Sequence, residues 1–93
     1  MNIKLEGYLD VPASRWSVVL TALETHIEKT RAEAGCIKFD VTPCSEVEHR
    51  LLVSELFVDQ TSFDAHQTRA GNSDWAKISA GIPRHYEITE VSV

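Results

Sequence analysis

Few of the residues from which cofactor and metal sites are built occur in this sequence, and those present are poorly spaced for that purpose. Its four glycines never approach G-x-G-x-x-G, which excludes a nicotinamide- or flavin-binding Rossmann loop, and no phosphate-cradling loop is present. The four histidines, His26, His49, His66 and His85, show neither H-x-x-x-H nor H-x-H spacing and have no cysteine beside them, which predicts no metal site. Only two cysteines occur, Cys36 and Cys44. If Cys36 to Thr42 is extended, they stand roughly 20 Å or more apart at about 3.3 Å per residue, beyond the ~7 Å that a disulfide spans. Neither belongs to a C-x-x-C. Cys36 reads as a small buried apolar residue and Cys44 as a loop residue.

Basic charge is scarce too. Nine Lys and Arg against fourteen Asp and Glu leave a net charge of −5. No basic stripe lines up to neutralise phosphates, so nucleic acid and anionic membrane surfaces are disfavoured as partners. No run approaches the ~18 apolar residues of a membrane span. The segment MNIKLEGYLD lacks the apolar core of an export signal, and a cytoplasmic location is expected.

What remains is an ordinary globular composition, 43% hydrophobic and 25% charged over 93 residues, which predicts one domain spanning residues 1–93. A chain this short buries only about two-thirds of its unfolded surface, so association with a second copy is expected. Ile3, Leu5 and Leu9 alternate with Lys4, Glu6 and Tyr8, the period of a strand. After Pro12 a helix opens at Ala13 or Ser14. Trp16, Val19, Leu20, Leu23, Ile27 and Ala34 form its apolar stripe, His26 lies at the stripe's boundary, and Gly35 is expected to end the helix with positive φ. Cys36 to Thr42 is a second strand with Ile37, Phe39 and Val41 on one face.

Arg50 to Val58 is the third strand. Leu51, Val53, Glu55 and Phe57 share one face, Leu52, Leu56 and Val58 the other, so both faces should be covered. Asp59 or Thr61 caps a second helix carrying Phe63 and His66. That helix breaks at Ala70-Gly71-Asn72, a short helical segment with Trp75 and Ile78 follows, and His85 to Val93 is the last strand. The order β-α-β-β-α-β predicts an α+β fold of ferredoxin-like type, one antiparallel four-stranded sheet with helices on one side. Nothing in the chain remains to cover the second face of the third strand. A homodimer is the expected answer, two sheets meeting in a dimeric α+β barrel.

Three stretches carry a family likeness. TRAEAGC at 30 to 36, with its Glu33-Ala34-Gly35-Cys36 turn, then Glu55-Leu56-Phe57-Val58-Asp59, then Phe63-Asp64-Ala65-His66, resemble the antibiotic biosynthesis monooxygenase family in order and spacing along nearly the whole chain. The resemblance implies a small dimeric α+β barrel and, as in the family's quinol and polyketide-quinone oxygenases, catalysis without a cofactor. Phe39 stands where many relatives have tyrosine, and the Ser or Thr and second histidine that often follow the helix histidine are absent. A heme-ligating residue, needed for the heme-degrading role of some relatives, is not evident.

His66 is the leading catalytic candidate. Imidazole, with a reference pKa near 6.5, is the side chain best suited to take a proton at neutral pH, although a histidine on a half-apolar helix face also fits a purely structural role. Glu55 needs a partner if buried. It reads either as a structural pair with Arg50, Arg69 or His66 or as the group that orients His66. Arg69, one turn beyond His66, and Tyr86 are candidates to steady an oxyanion, and Phe57, Phe63 and Trp75 to line an aromatic cavity; surface and core roles stand beside these. The expected function is cofactor-independent monooxygenation of a small hydroquinone or hydroxyaromatic by O₂. The alternatives are a non-catalytic ligand-binding or structural dimer, and a cofactor-free isomerase of a small carbonyl compound.

Overall fold

The computed structural model describes residues 1–92. The chain runs through β1 (Asn2–Asp10), a 3₁₀ turn (Ala13–Arg15), α1 (Trp16–Arg31), β2 (Cys36–Pro43), β3 (Arg50–Phe57), α2 (Gln60–Gly71), α3 (Asp74–Ile78) and β4 (Arg84–Val91). The strands form one sheet in the order β2-β3-β1-β4, every neighbouring pair antiparallel. This is the ferredoxin-like α+β arrangement that the alternation of periods predicts. The last strand ends at Val91, and Val93 lies outside the described residues. Among the described residues no helix is long and apolar enough to cross a membrane.

Period-two burial builds the sheet's inner face. Ile3, Leu5 and Leu9 of β1 are buried, as are Leu51, Val53, Glu55 and Phe57 of β3. Gly7 sits among them because β4 crosses close at that point: a Cβ there would lie 1.9 Å from the carbonyl oxygen of His85.

Two expectations change in detail. In β2 the register shifts between Cys36 and Lys38, so Ile37 is the extra residue of a bulge. It is exposed, while Phe39 is buried. On α1 the buried stripe is Val19, Leu23, His26 and Thr30, so His26 is an interior residue, not a boundary one. Thr30 can join the stripe because its hydroxyl donates to the His26 carbonyl at 2.7 Å, satisfying a polar group that would otherwise be costly to bury. The helix ends at Arg31 rather than at Gly35, and Gly35 does not have positive φ. Its role is close approach: a Cβ on Gly35 would lie 2.1 Å from Ser62 Oγ at the start of α2.

The buried apolar residues form two clusters, not one. Leu9, Val11, Val19, Leu23, Leu51 and Ile82 make the first. Ile3, Leu5, Val53, Phe57 and Phe63 make the second. Between them the inner face of the sheet meets His26, His66 and Glu55, and there the packing opens into a cavity.

Candidate active site

α2 delivers His66 to this cavity. Asp59 caps the helix, its carboxylate accepting from the Ser62 amide at 2.8 Å, and Phe63 and His66, three residues apart, are the buried pair of its inner face. His66 is 2% exposed. Its Nδ1 lies 2.7 Å from Glu33 Oε1, and its Nε2 lies 3.8 Å from Glu55 Oε1. Glu33 stands in the connection from α1 to β2. Burial pushes its carboxyl up, but hydrogen bonds from Arg69 and His66 outweigh that and hold it below the ordinary glutamate value. An ionised carboxylate only accepts, so the proton between them belongs to Nδ1. In that tautomer the Nε2 lone pair is left for whatever occupies the cavity.

The cavity measures about 430 Å³, within the range of small-molecule sites. Leu5, Leu9 and Val53 of the sheet, Leu23 of α1 and Phe39 of β2 supply apolar walls, and His66, Glu55, His26, Arg84 and Tyr86 the polar points. Glu55 is 6% exposed, and its Oε1 has no hydrogen-bond partner among the described residues. Burial, and then the charge on Glu33, pushes its carboxyl up to about 7. His26 stacks on Trp75, ring centroids 5.1 Å apart and planes 11° from parallel, and lies 5.9 Å from the His66 ring. Burial first, then the neighbouring His66 and Arg69, lowers its pKa to about 4, so His26 is neutral at pH 7 and walls the cavity without charging it.

Of the candidate residues, His66, Glu55, Trp75 and Tyr86 converge on the cavity. Phe57 and Phe63 do not line it: they pack edge to face on each other at 5.6 Å in the second core cluster, where the bulk of two adjacent rings leaves no face for a guest. Arg69 also turns away, because its guanidinium is taken by Thr30 Oγ1 at 3.0 Å and Glu33 Oε1 at 3.3 Å. It fixes the charge of Glu33 rather than meeting a substrate. Glu55 pairs with neither Arg50, which grips Asp10 at 2.7 and 3.0 Å, nor Arg69. Glu33, not Glu55, orients the imidazole. The Glu33-Ala34-Gly35-Cys36 turn stood out in the sequence, but a single glutamate in a connection has no periodicity to mark its direction. Arg84 was missed for the same reason, lying at the edge of its strand. Cys36 and Cys44 are both free and half-buried, and among the described residues no group of His, Cys, Asp or Glu is placed to hold a metal ion.

Several solved structures share the fold. A protein of Deinococcus radiodurans provisionally named an antibiotic biosynthesis monooxygenase superposes with a TM-score of 0.85 at 18% identity, covering 100% of this chain and 94% of that one. One of Nitrosomonas europaea with the same provisional name gives 0.84 at 20% identity, covering 95% and 88%. A conserved protein of Methanosarcina mazei gives 0.80 at 22%, covering 99% and 94%. At such identities the likeness carries the fold alone. No curated protein matches the sequence. The sequence pattern of one family does match, over residues 3–77, a span that includes the Glu33 turn, the Glu55 strand and the His66 helix. The chain belongs to the antibiotic biosynthesis monooxygenase family.

Proposed function

We propose that the chain is a cofactor-independent monooxygenase acting on a small hydroquinone or hydroxyaromatic, with His66 as general base. The observation that carries this reading is the Glu33–His66 pair, a buried imidazole whose Nδ1 proton is held by a carboxylate at 2.7 Å and which lines a cavity of about 430 Å³. Such a pairing fixes tautomer and orientation together. In this reading the substrate supplies the electrons. Nε2 removes a phenolic proton, and the phenolate passes one electron to O₂, giving a ring radical and superoxide. These combine through a new C–O bond, and the imidazolium returns its proton to the peroxide. Loss of the ring C–H proton as the O–O bond breaks leaves a carbonyl on the ring and hydroxide, which takes that proton. Hydroquinone and O₂ thus become hydroxyquinone and water, O₂ taking up four electrons in all.

Glu55, with a carboxyl that titrates near 7 and lies 3.8 Å from Nε2, suits relay of the second proton. Tyr86 and Trp75 would hold the ring. The same base and relay also serve a proton-shuffling isomerase, which converts its substrate without oxygen. In the proposed reading the protein acts as a homodimer.

An oxygen electrode and a panel of hydroquinones test the assignment. Uptake of O₂ with one turnover per molecule consumed is expected, and His66→Ala should slow it by about 10²-fold or more while leaving ring affinity largely intact. Unchanged turnover in His66→Ala, with the variant shown to be folded by circular dichroism, removes His66 from the role. Substrate conversion without oxygen uptake selects the isomerase, and ring binding without conversion selects the ligand-binding alternative.

A further inference from the structure

The polar groups of the cavity are unevenly placed. His66 and Glu55 meet at one side. On the other, β4 brings in Arg84, and the sheet register fixes the separation. Glu55 pairs with Leu5 of β1, and Arg84 pairs with Leu9 of the same strand from its opposite edge. Their backbones therefore stand about 13 Å apart along the strand and about 10 Å apart across two strand spacings.

Arg84 is the one Lys or Arg that lines the cavity, and among the described residues it takes part in none of the ion pairs. Its side chain is anchored instead by donation to Ser79 Oγ, a fully buried hydroxyl at the end of α3. That donation, with a side-chain hydrogen bond to Tyr86, aims the guanidinium and leaves donors over, and a planar fork of this kind matches a carboxylate in two-point contact. The cavity's one carboxyl, Glu55, is raised to about 7 by burial and so offers at most a partial balancing charge at neutral pH. Arg84 is itself exposed, so its guanidinium stands at the mouth of the cavity, where an unpaired fork can meet a guest that brings an anion.

We propose that Arg84 is a carboxylate-binding subsite of this cavity and that the substrate is a hydroxyaromatic acid, its carboxylate on the Arg84 guanidinium and its hydroxyl at His66. The placement of the hydroxyl rests on the function proposed above; the carboxylate subsite does not.

Calorimetric titration without oxygen, using 2,5-dihydroxybenzoate and unsubstituted hydroquinone as matched probes, separates the two. The wild-type chain is expected to bind the carboxylated ring about 10-fold or more tightly than the neutral one, the worth of one charged hydrogen-bonded contact. Arg84→Gln should erase that difference and leave hydroquinone binding where it was. Arg84→Lys should restore part of it, since it keeps the charge and loses the fork. Equal wild-type affinities, including failure to bind either probe, overturn the subsite. So does a preference that survives in folded Arg84→Gln. An anaerobic preference with no oxygen uptake leaves the subsite standing and removes the monooxygenase reading; uptake with no preference does the reverse.

Discussion

A carboxyl that is 6% exposed and lacks a hydrogen-bond partner for one oxygen among the described residues is favoured in its protonated form, and for Glu55 this has a measurable consequence. Its ionisation moves from the ordinary 4.5 to about 7. Between those values the folded chain keeps a proton that the unfolded chain has lost, so each step up in pH removes stability. The contribution is fully present below pH 4.5 and is gone above about pH 7, a span worth roughly 3 kcal/mol. Glu55→Gln keeps the shape and has no proton to lose. It is expected to melt with the wild type near pH 4.5 and above it at pH 8, by about 4–8 °C for each kcal/mol in a domain of this size. Melting curves of the two that run parallel from pH 4.5 to 8 would show that Glu55 is not held protonated. His26 slopes the other way: lowered from 6.5 to about 4, it contributes stability above pH 6.5 that is lost as pH falls toward 4. The two slopes oppose each other between about pH 4.5 and 6.5, and the wild type should be nearly flat there. Neither behaviour is legible in the sequence, where Glu55 looks in need of a partner and His26 lies at the edge of an apolar stripe.

At the scale of elements, the site depends on how closely the α1–β2 connection sits against the start of α2. Gly35 touches Ser62, and the Gly35 carbonyl accepts from the Val58 amide at 2.9 Å, tying the Glu33 turn to the end of β3. Gly35→Ala would place its Cβ 2.1 Å from Ser62 Oγ and 2.2 Å from Ser62 Cβ, so the turn must move and carry Glu33 away from His66. A loss of about 1–3 kcal/mol is expected, read as a lower urea midpoint, together with slower oxygen uptake. Removing both offending atoms with Ser62→Gly in the same chain should recover turnover, less the helix-interior cost of glycine. If turnover recovers no better in the double variant than in Gly35→Ala, the contact does not position Glu33.

Element order and type were readable because alternation and helical spacing report which face is buried. They fail where geometry departs from the period. The bulge at Ile37 breaks alternation. The true α1 stripe, with Val19, Leu23, His26 and Thr30 at spacings of four, three and four, is hidden from any reading that counts apolar residues alone. His66 was legible because its helix has a regular inner face; Glu33 was not, because a turn has none.

For the whole molecule, assembly turns on the outer face of the sheet. It is less apolar than β3 alone implies. Leu52 is 42% exposed, but Lys4 and Glu6 pair at 3.1 Å on β1, Ser54 donates to Glu6, and Arg50 lies over the Tyr8 ring at 3.8 Å. The strand pattern showed two apolar faces and could not show what its neighbours place beside Leu52. At the sheet's edge, Ile88 is 53% exposed because the helices do not reach β4. Leu52 gains by a covering, and the homodimer proposed here supplies it through a self-complementary contact of the outer faces, in which one substitution acts twice; Ile88, paired with the buried Leu5, lies on the helix-side face and is not part of that contact. Leu52→Glu should therefore separate the copies while costing the folded chain little, since the side chain already meets water. Sedimentation velocity is expected to give twice the chain mass for the wild type and the single-chain mass for Leu52→Glu with unchanged circular dichroism. A wild type that sediments as a single chain at every concentration tested ends the dimer reading. Leu5, Leu9, Leu23, Phe39 and Val53 of one chain already wall the cavity, so the separated variant should still bind its aromatic ring. If that affinity falls along with the mass, the second copy helps to close the site.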